Sequence, residues 1–171
     1  MMLARNTVLV ATSAAVRNVV SYGVNAGIPP HIVEKAESAI HAHVFGFKAA
    51  HKAGVRLAMG TDSGVPFTRH GNNLDELLHL TEMGLSPQEA IRVATLDSAR
   101  LLKLDDCIGS LDEGKNADLV VVDGNPMDDV AVLRRQDKIR RVVLNGQTVL
   151  DRDASRFLVG AGFSSARDES A

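Results

Sequence analysis

In the stretch AMGTDSG, residues 58–64, an apolar run ends on Asp62, which sits between Thr61 and Ser63 and is flanked by Gly60 and Gly64. Val55, Leu57 and Met59 alternate with Arg56 and Ala58, so the run approaches its end as a strand. A carboxylate at such a place is either a strand-end turn cap or a ligand aimed into a site. The two glycines let the backbone turn or pass close to something. Thr61 and Ser63 are expected to brace the loop through hydroxyl-to-backbone bonds. His70, in the segment TRHGNN, reads on its own as an exposed loop histidine. His41-Ala42-His43 has the spacing of a metal-binding pair on a strand, where residues two apart share a face. It lies inside a helical pattern, however, where such residues do not face each other, so both read as helix-surface histidines. Cys107, beside a turn and with no histidine near it in sequence, reads as a small packing residue rather than a nucleophile.

The elements that must position these residues follow from the patterning. TVLVATS (7–13) is a short β-branched run of the kind that forms a buried strand. After an ambiguous stretch, Pro30 suits a first helical turn and Gly54 a C-terminal cap. Between them Val33, Ala36, Ile40, Val44 and Phe47 recur at helical spacing and make one apolar stripe. Phe45, Phe47 and Phe67 read as core or rim residues. Strand, helix and the strand ending at Asp62 then form a βαβ unit, which requires parallel pairing. A second helix starts with Asn73 and Glu76 in a capping-box-like arrangement, with Asn72 as a further capping residue, and ends at Gly84. SPQEAIRVATL restarts at once with Ser86, Pro87 and Glu89, and DSARLLKL forms another short helix. The character then changes. ADLVVVD reads as a buried strand between turns, and RRVVLNGQTVL as a hairpin through Asn145-Gly146. The final SSARDESA is small, polar and frayed in expectation.

Composition removes several classes. A net charge of −2 gives no electrostatic reason to expect nucleic acid or an anionic membrane as partner. Aromatic residues at 4% offer little stacking surface for bases. No apolar run approaches the roughly 20 residues of a membrane helix, and MMLARNTVLVATSAAV reads as a buried strand rather than a signal peptide. One cysteine cannot form an internal disulfide, so the cytoplasm is the default compartment.

Three pieces taken in order carry a resemblance: GTDSG followed by HGNNLDEL, then GLSPQEAIRVATLDSARLL, then IGSLDEGKNADLVVVDGNP. Together they resemble the C-terminal part of the metal-dependent amidohydrolases, within these the imidazolonepropionase-like and Xaa-Pro-dipeptidase-like branch. The match runs through the closing hairpin and, less distinctively, back over the first strand and long helix. It implies an α/β fold, the C-terminal fragment of a (β/α)8 barrel plus part of a small β-sandwich. Residues 1–105 would be the last βα units of the barrel, 106–160 the C-terminal part of the sandwich, and 161–171 a flexible tail. The family's metal site draws on a His-x-His after the first strand, a lysine or glutamate and two histidines from middle strands, and an aspartate ending the eighth. Asp62 matches that aspartate. The resemblance implies that Asp62 binds the metal and is also the catalytic acid/base, taking a proton from metal-bound hydroxide and delivering it to the leaving nitrogen. It places His70 at the rim of the site, against a substrate carboxylate or carbonyl. The implied cofactor is a divalent metal, Zn2+, in the complete enzyme, and the implied substrate a small amide or dipeptide.

A complete barrel needs roughly 250 residues, so the chain looks like the last third or so of such an enzyme. Two readings follow. One is a metal-dependent hydrolase of C–N bonds whose isolated C-terminal piece is inactive. The other is a non-catalytic remnant or an interaction subunit of a split enzyme. Open apolar edges on the C-terminal strands lead us to expect a homo-oligomer or association with a missing N-terminal segment.

Overall fold

The computed structural model describes residues 1–153. The expected tail at 161–171 and the last part of segment 106–160 lie outside the described residues.

Two short strands, β1 (Val8–Ala11) and β2 (Arg56–Met59), pair in parallel with Val8 opposite Arg56 and Ala11 opposite Met59. The βαβ reading holds, but β1 is shorter than the apolar run over 7–13. The chain turns helical at Ser13, where the first amides of α1 (Ser13–Tyr22) find an acceptor described below, and this helix fills the ambiguous stretch. Helix α2 (Pro30–Lys52) begins with its proline in the first turn and stops before Gly54, whose φ of +77° is one that side-chain-bearing residues rarely adopt. Its apolar stripe faces inward, with Ala36 and Phe47 buried and Val33, Ile40 and Val44 half-buried. Phe45 departs from expectation and is 77% exposed, because two helical positions from Phe47 place it across the helix. His41 is exposed and His43 half-buried on the same helix.

Helix α3 (Leu74–Glu82) lacks the expected capping box, and neither Asn72 nor Asn73 caps it through its side chain. Glu76 turns inward instead and is fully buried. It shares a helical face with Leu80 and Met83, at i, i+4 and i+7, so the core claims it before the helix end can. The box at α4 (Pro87–Arg92) forms as read: the Glu89 amide donates to Ser86 Oγ, and the Ser86 amide donates to Glu89 Oε2 at 2.8 Å. The Ser86 amide and, at 2.7 Å, the Ser86 hydroxyl both donate to the Glu89 carboxylate and hold it below the usual carboxylate range. The helix then passes through a single π turn (Val93–Asp97) into α5 (Ser98–Leu102).

The remainder is a three-stranded antiparallel sheet of β3 (Leu119–Val122), β4 (Ile139–Leu144) and β5 (Gln147–Asp151), in that spatial order. Asn145 (φ +49°) and Gly146 (φ +76°) form the two-residue turn expected between β4 and β5. β3 is not the buried strand its sequence suggests, since Val120 and Val121 are exposed. Cys107 is also exposed rather than packed. The core joins Ala11 and Leu57 to Phe47, Leu77, Leu80, Met83, Leu85, Ala90 and Val93. Val130, just before the β3–β4 return, enters the same core, and Arg134 Nε reaches Asp75 Oδ1 at 2.6 Å. No helix among the described residues is long and apolar enough to cross a membrane.

Candidate functional site

Parallel pairing brings the C-terminal ends of β1 and β2 side by side. The Gly60 amide donates to Ala11 O at 2.7 Å, and a Cβ on Gly60 would meet Thr12 Cγ2 and Val10 Cγ1 at 3.0 Å. A side chain there would have to push the Thr12 and Val10 methyls aside, so glycine eases the close approach of the two strand ends. Two residues further on, Asp62 adopts a left-handed backbone, φ +53°, and is exposed. Thr61 Oγ1 and Ser63 Oγ bond to each other at 2.8 Å across it, rather than to the backbone as expected. Among the described residues the Asp62 carboxylate takes no hydrogen bond, so it does not serve as the cap of its own turn.

The loop that follows closes on itself: the Gly64 amide donates to Thr68 O at 2.9 Å and the Thr68 amide to Val65 O at 3.1 Å. Gly64, at φ +103°, passes beneath His70, whose Nε2 lies 3.5 Å from where a Cβ would stand. Helix α1 secures the loop from the other side. Asn18 Nδ2 donates to Phe67 O at 3.1 Å and to Thr68 Oγ1 at 3.2 Å, and Tyr22 stacks on Phe67 with ring centroids 4.8 Å apart. Tyr22, Gly64, Val65, Phe67, Arg69 and His70 line an open hollow of about 520 Å³. Its lining includes Arg69 and His70 and no carboxylate. His70 is thus in the hollow, and Asp62 lies outside its lining, two residues before Gly64.

Helix α1 is itself fixed by Glu76. The Ser13 amide donates to Oε1 at 2.8 Å and the Ala14 amide to Oε2 at 2.7 Å, so a buried carboxylate satisfies the helix's first donors and meets the positive end of its dipole. Nearby, Arg17 pairs with Glu82 at 2.7 Å across α1 and α3, and His79 Nδ1 stands 3.6 Å from the same carboxylate oxygen. Burial, and then the charge of Arg17, push the His79 pKa below its ordinary value.

Sequence patterning passed over Asn18 and Tyr22, and read Glu76 as part of a helix cap rather than as the acceptor of the Ser13 and Ala14 amides. Glu76 carried a usable signal, its helical phase with Leu80 and Met83. Asn18 and Tyr22 lay in a stretch without a clear period and carried none. As for a metal, no three His, Cys, Asp or Glu side chains among the described residues converge to hold one. Catalytic zinc normally uses three protein ligands, so these residues do not by themselves form a metal centre, and His41 and His43 add none.

The model for the amidohydrolase family matches residues 1–149. Adenine deaminase 4 of Rhizobium meliloti (strain 1021) is 28% identical over 141 residues, covering 73% of this chain and 22% of that protein. Imidazolonepropionase of Picrophilus torridus is 34% identical over 67 residues, 39% of this chain and 17% of that protein. The crystal structure of a Xaa-Pro dipeptidase with methionine bound in its active site superposes with a TM-score of 0.74 at 35% identity, covering 86% of this chain and 35% of that one. In each case the chain spans well under half the length of the protein it matches.

Proposed function

Because the chain belongs to the amidohydrolase family, on the branch of the imidazolonepropionases and Xaa-Pro dipeptidases, we propose that it is the C-terminal portion of a metal-dependent hydrolase of C–N bonds, with Asp62 as the essential carboxylate. In this reading residues 1–105 contribute the last βα units of a (β/α)8 barrel and 106–160 the C-terminal part of a β-sandwich. The observation that carries it is the state of Asp62. The carboxylate stands at the C-terminal end of a parallel strand, where barrel enzymes place catalytic groups, and it is not consumed by its own turn.

Asp62 takes the proton of the attacking water and returns it to the leaving nitrogen, a transfer that a carboxylate within hydrogen-bond reach performs in both directions. Zn2+ or another divalent metal is assigned to the complete enzyme. The described residues do not hold one unaided; Asp62 is the ligand this chain would add to those of a longer polypeptide. The hollow beside the loop suits the carboxylate-bearing half of a small amide or dipeptide. Arg69 supplies charge and His70 a hydrogen-bonding ring, while Tyr22, Val65 and Phe67 supply apolar contact. We place the enzyme in the cytoplasm, as a homo-oligomer or joined to the segment that completes its barrel.

A second reading, an interaction subunit of a split enzyme, draws on the same single carboxylate. Hydrolysis of a panel of Xaa-Pro dipeptides and cyclic amides separates the two. The chain is assayed alone, then extended by the segment that precedes the matching region in its relatives. Cleavage by the extended protein and none by the chain alone is the expected result. An extended, folded protein that cleaves no C–N bond of the panel would contradict the hydrolase reading.

A further inference from the structure

The amides of Met59 and Gly60 are consecutive and therefore point to opposite sides of β2. Gly60 donates toward β1, to Ala11 O. Met59 donates away from β1, on the side where no strand lies among the described residues, and its partner is the hydroxyl of Ser98 at 3.1 Å. The same hydroxyl donates to Val93 O at 2.7 Å, a carbonyl five residues earlier. The two bonds are complementary, since a hydroxyl that gives its proton to Val93 O presents lone pairs to the Met59 amide.

The π turn over Val93–Asp97 is what delivers that hydroxyl. An α-helix advances about 100° per residue, so the extra residue of a π turn swings the following positions by about that angle relative to the face of α4 buried through Ala90 and Val93. Ser98 and Ala99 then face β2 and the core rather than solvent. The far side is held too. Gly109, at φ +94°, passes so close that a Cβ there would stand 2.8 Å from Ala99 Cβ and 3.0 Å from Leu96 Cα. Pinned by that turn, the start of α5 has little freedom to carry Ser98 away from β2.

We propose that Ser98 is a positioning residue for Asp62. Its hydroxyl and the Ala11 carbonyl grip consecutive peptides of β2 from opposite sides and so fix the direction in which the chain leaves the strand, three residues before the carboxylate. The clamp stands on these hydrogen bonds alone; its catalytic meaning rests on the assignment of Asp62 proposed above.

Amide hydrogen exchange and carboxyl 13C resonances, read by NMR on the full chain, test it. In Ser98→Ala the Met59 amide should exchange at least about tenfold faster, while the core amide of Leu80 stays within about twofold of wild type. The Asp62 carboxyl resonance should shift in the same variant. Ser98→Thr, which keeps the hydroxyl, should restore both. Should Ser98→Ala fail to fold, Ser98→Cys, similar in size but a weak acceptor, should show the same local acceleration. Met59 exchange within about twofold of wild type in the hydroxyl-free variant, equal acceleration at Leu80, or an unmoved Asp62 resonance would overturn the proposal. Asp62→Asn should leave Met59 exchange unchanged, so a failure of the Asp62 assignment in catalysis would not be mistaken for a failure of the clamp.

Discussion

The parallel pair β1–β2 and the antiparallel sheet β3–β4–β5 are both built from short strands rich in Val and Leu, yet they are held in different ways. Around β1 and β2, polar groups work at buried or half-buried positions and over long sequence separations: Glu76 on the start of α1, Ser98 on the end of β2, Asn18 on the loop after it. Around β3–β5 the side-chain contacts lie at or near the surface and are mostly ion pairs, Lys138 with Asp123, Arg141 with Asp151, and Arg140 with Asp153. Turn chemistry does the rest, as where Asp118 Oδ1 accepts the Asn145 amide at 2.6 Å. A lost buried acceptor leaves its donor without water to replace it, whereas an exposed ion pair is readily replaced by solvent. The region that carries Asp62 uses contacts that are costly to lose; the antiparallel sheet uses contacts that solvent readily replaces.

Substitutions can break or sharpen that contrast. The largest effect is expected at Glu76. Glu76→Ala removes the acceptor of both the Ser13 and Ala14 amides and leaves a cavity, and should lower stability by about 3 kcal/mol in a denaturant titration. A loss below about 1 kcal/mol would mean that α1 is held by packing alone and would erase the contrast. In the β sheet the most sensitive position should be a turn rather than a charge. Gly146→Ala forces an L side chain to φ +76° and should cost about 1 kcal/mol. Arg141→Ala, at an exposed pair, should stay within about 0.5 kcal/mol; a larger loss would show that the surface pairs act as a network.

A pH series sharpens the same point through His79, which faces Arg17, Glu76 and Glu82. Its pKa in the folded chain lies below the ordinary 6.5, so the unfolded chain binds the proton more readily. Its contribution is therefore present above that ordinary value and lost as pH falls from about 6.5 through the lowered folded value. Thermal melts between neutral pH and pH about 5 should show a decline in Tm that His79→Asn makes shallower. An unchanged slope would place the acid sensitivity in other groups.

Much of the fold was legible because its signals are local. The capping box at Ser86, the Asn145-Gly146 turn, the apolar stripe of α2 and the βαβ order each depend on residues a few positions apart. What escaped depends on distant partners. Glu76 looks like a helix cap until the core shows that its carboxylate serves a helix more than sixty residues earlier. Ser98 looks like an ordinary helix residue, since no short pattern announces a π turn. Phe45, Val120 and Val121 have core chemistry and exposed positions, which composition cannot foresee. Asp62 was legible as a strand-end carboxylate between glycines, but not whether its own loop would occupy it. Only the geometry of the Thr61–Ser63 bond and the free carboxylate answers that.

The most direct measurement of the central claim is the turnover of Asp62→Asn in the chain extended by the segment that precedes the matching region in its relatives, with a Xaa-Pro dipeptide that the parent cleaves. Asparagine keeps the size of the side chain and tolerates the left-handed backbone, so the melting temperature should stay near that of the parent. Loss of the proton carrier alone predicts a fall in kcat of about 10²–10⁴-fold, with the fold intact. Turnover within a few-fold of the parent would remove Asp62 from the mechanism.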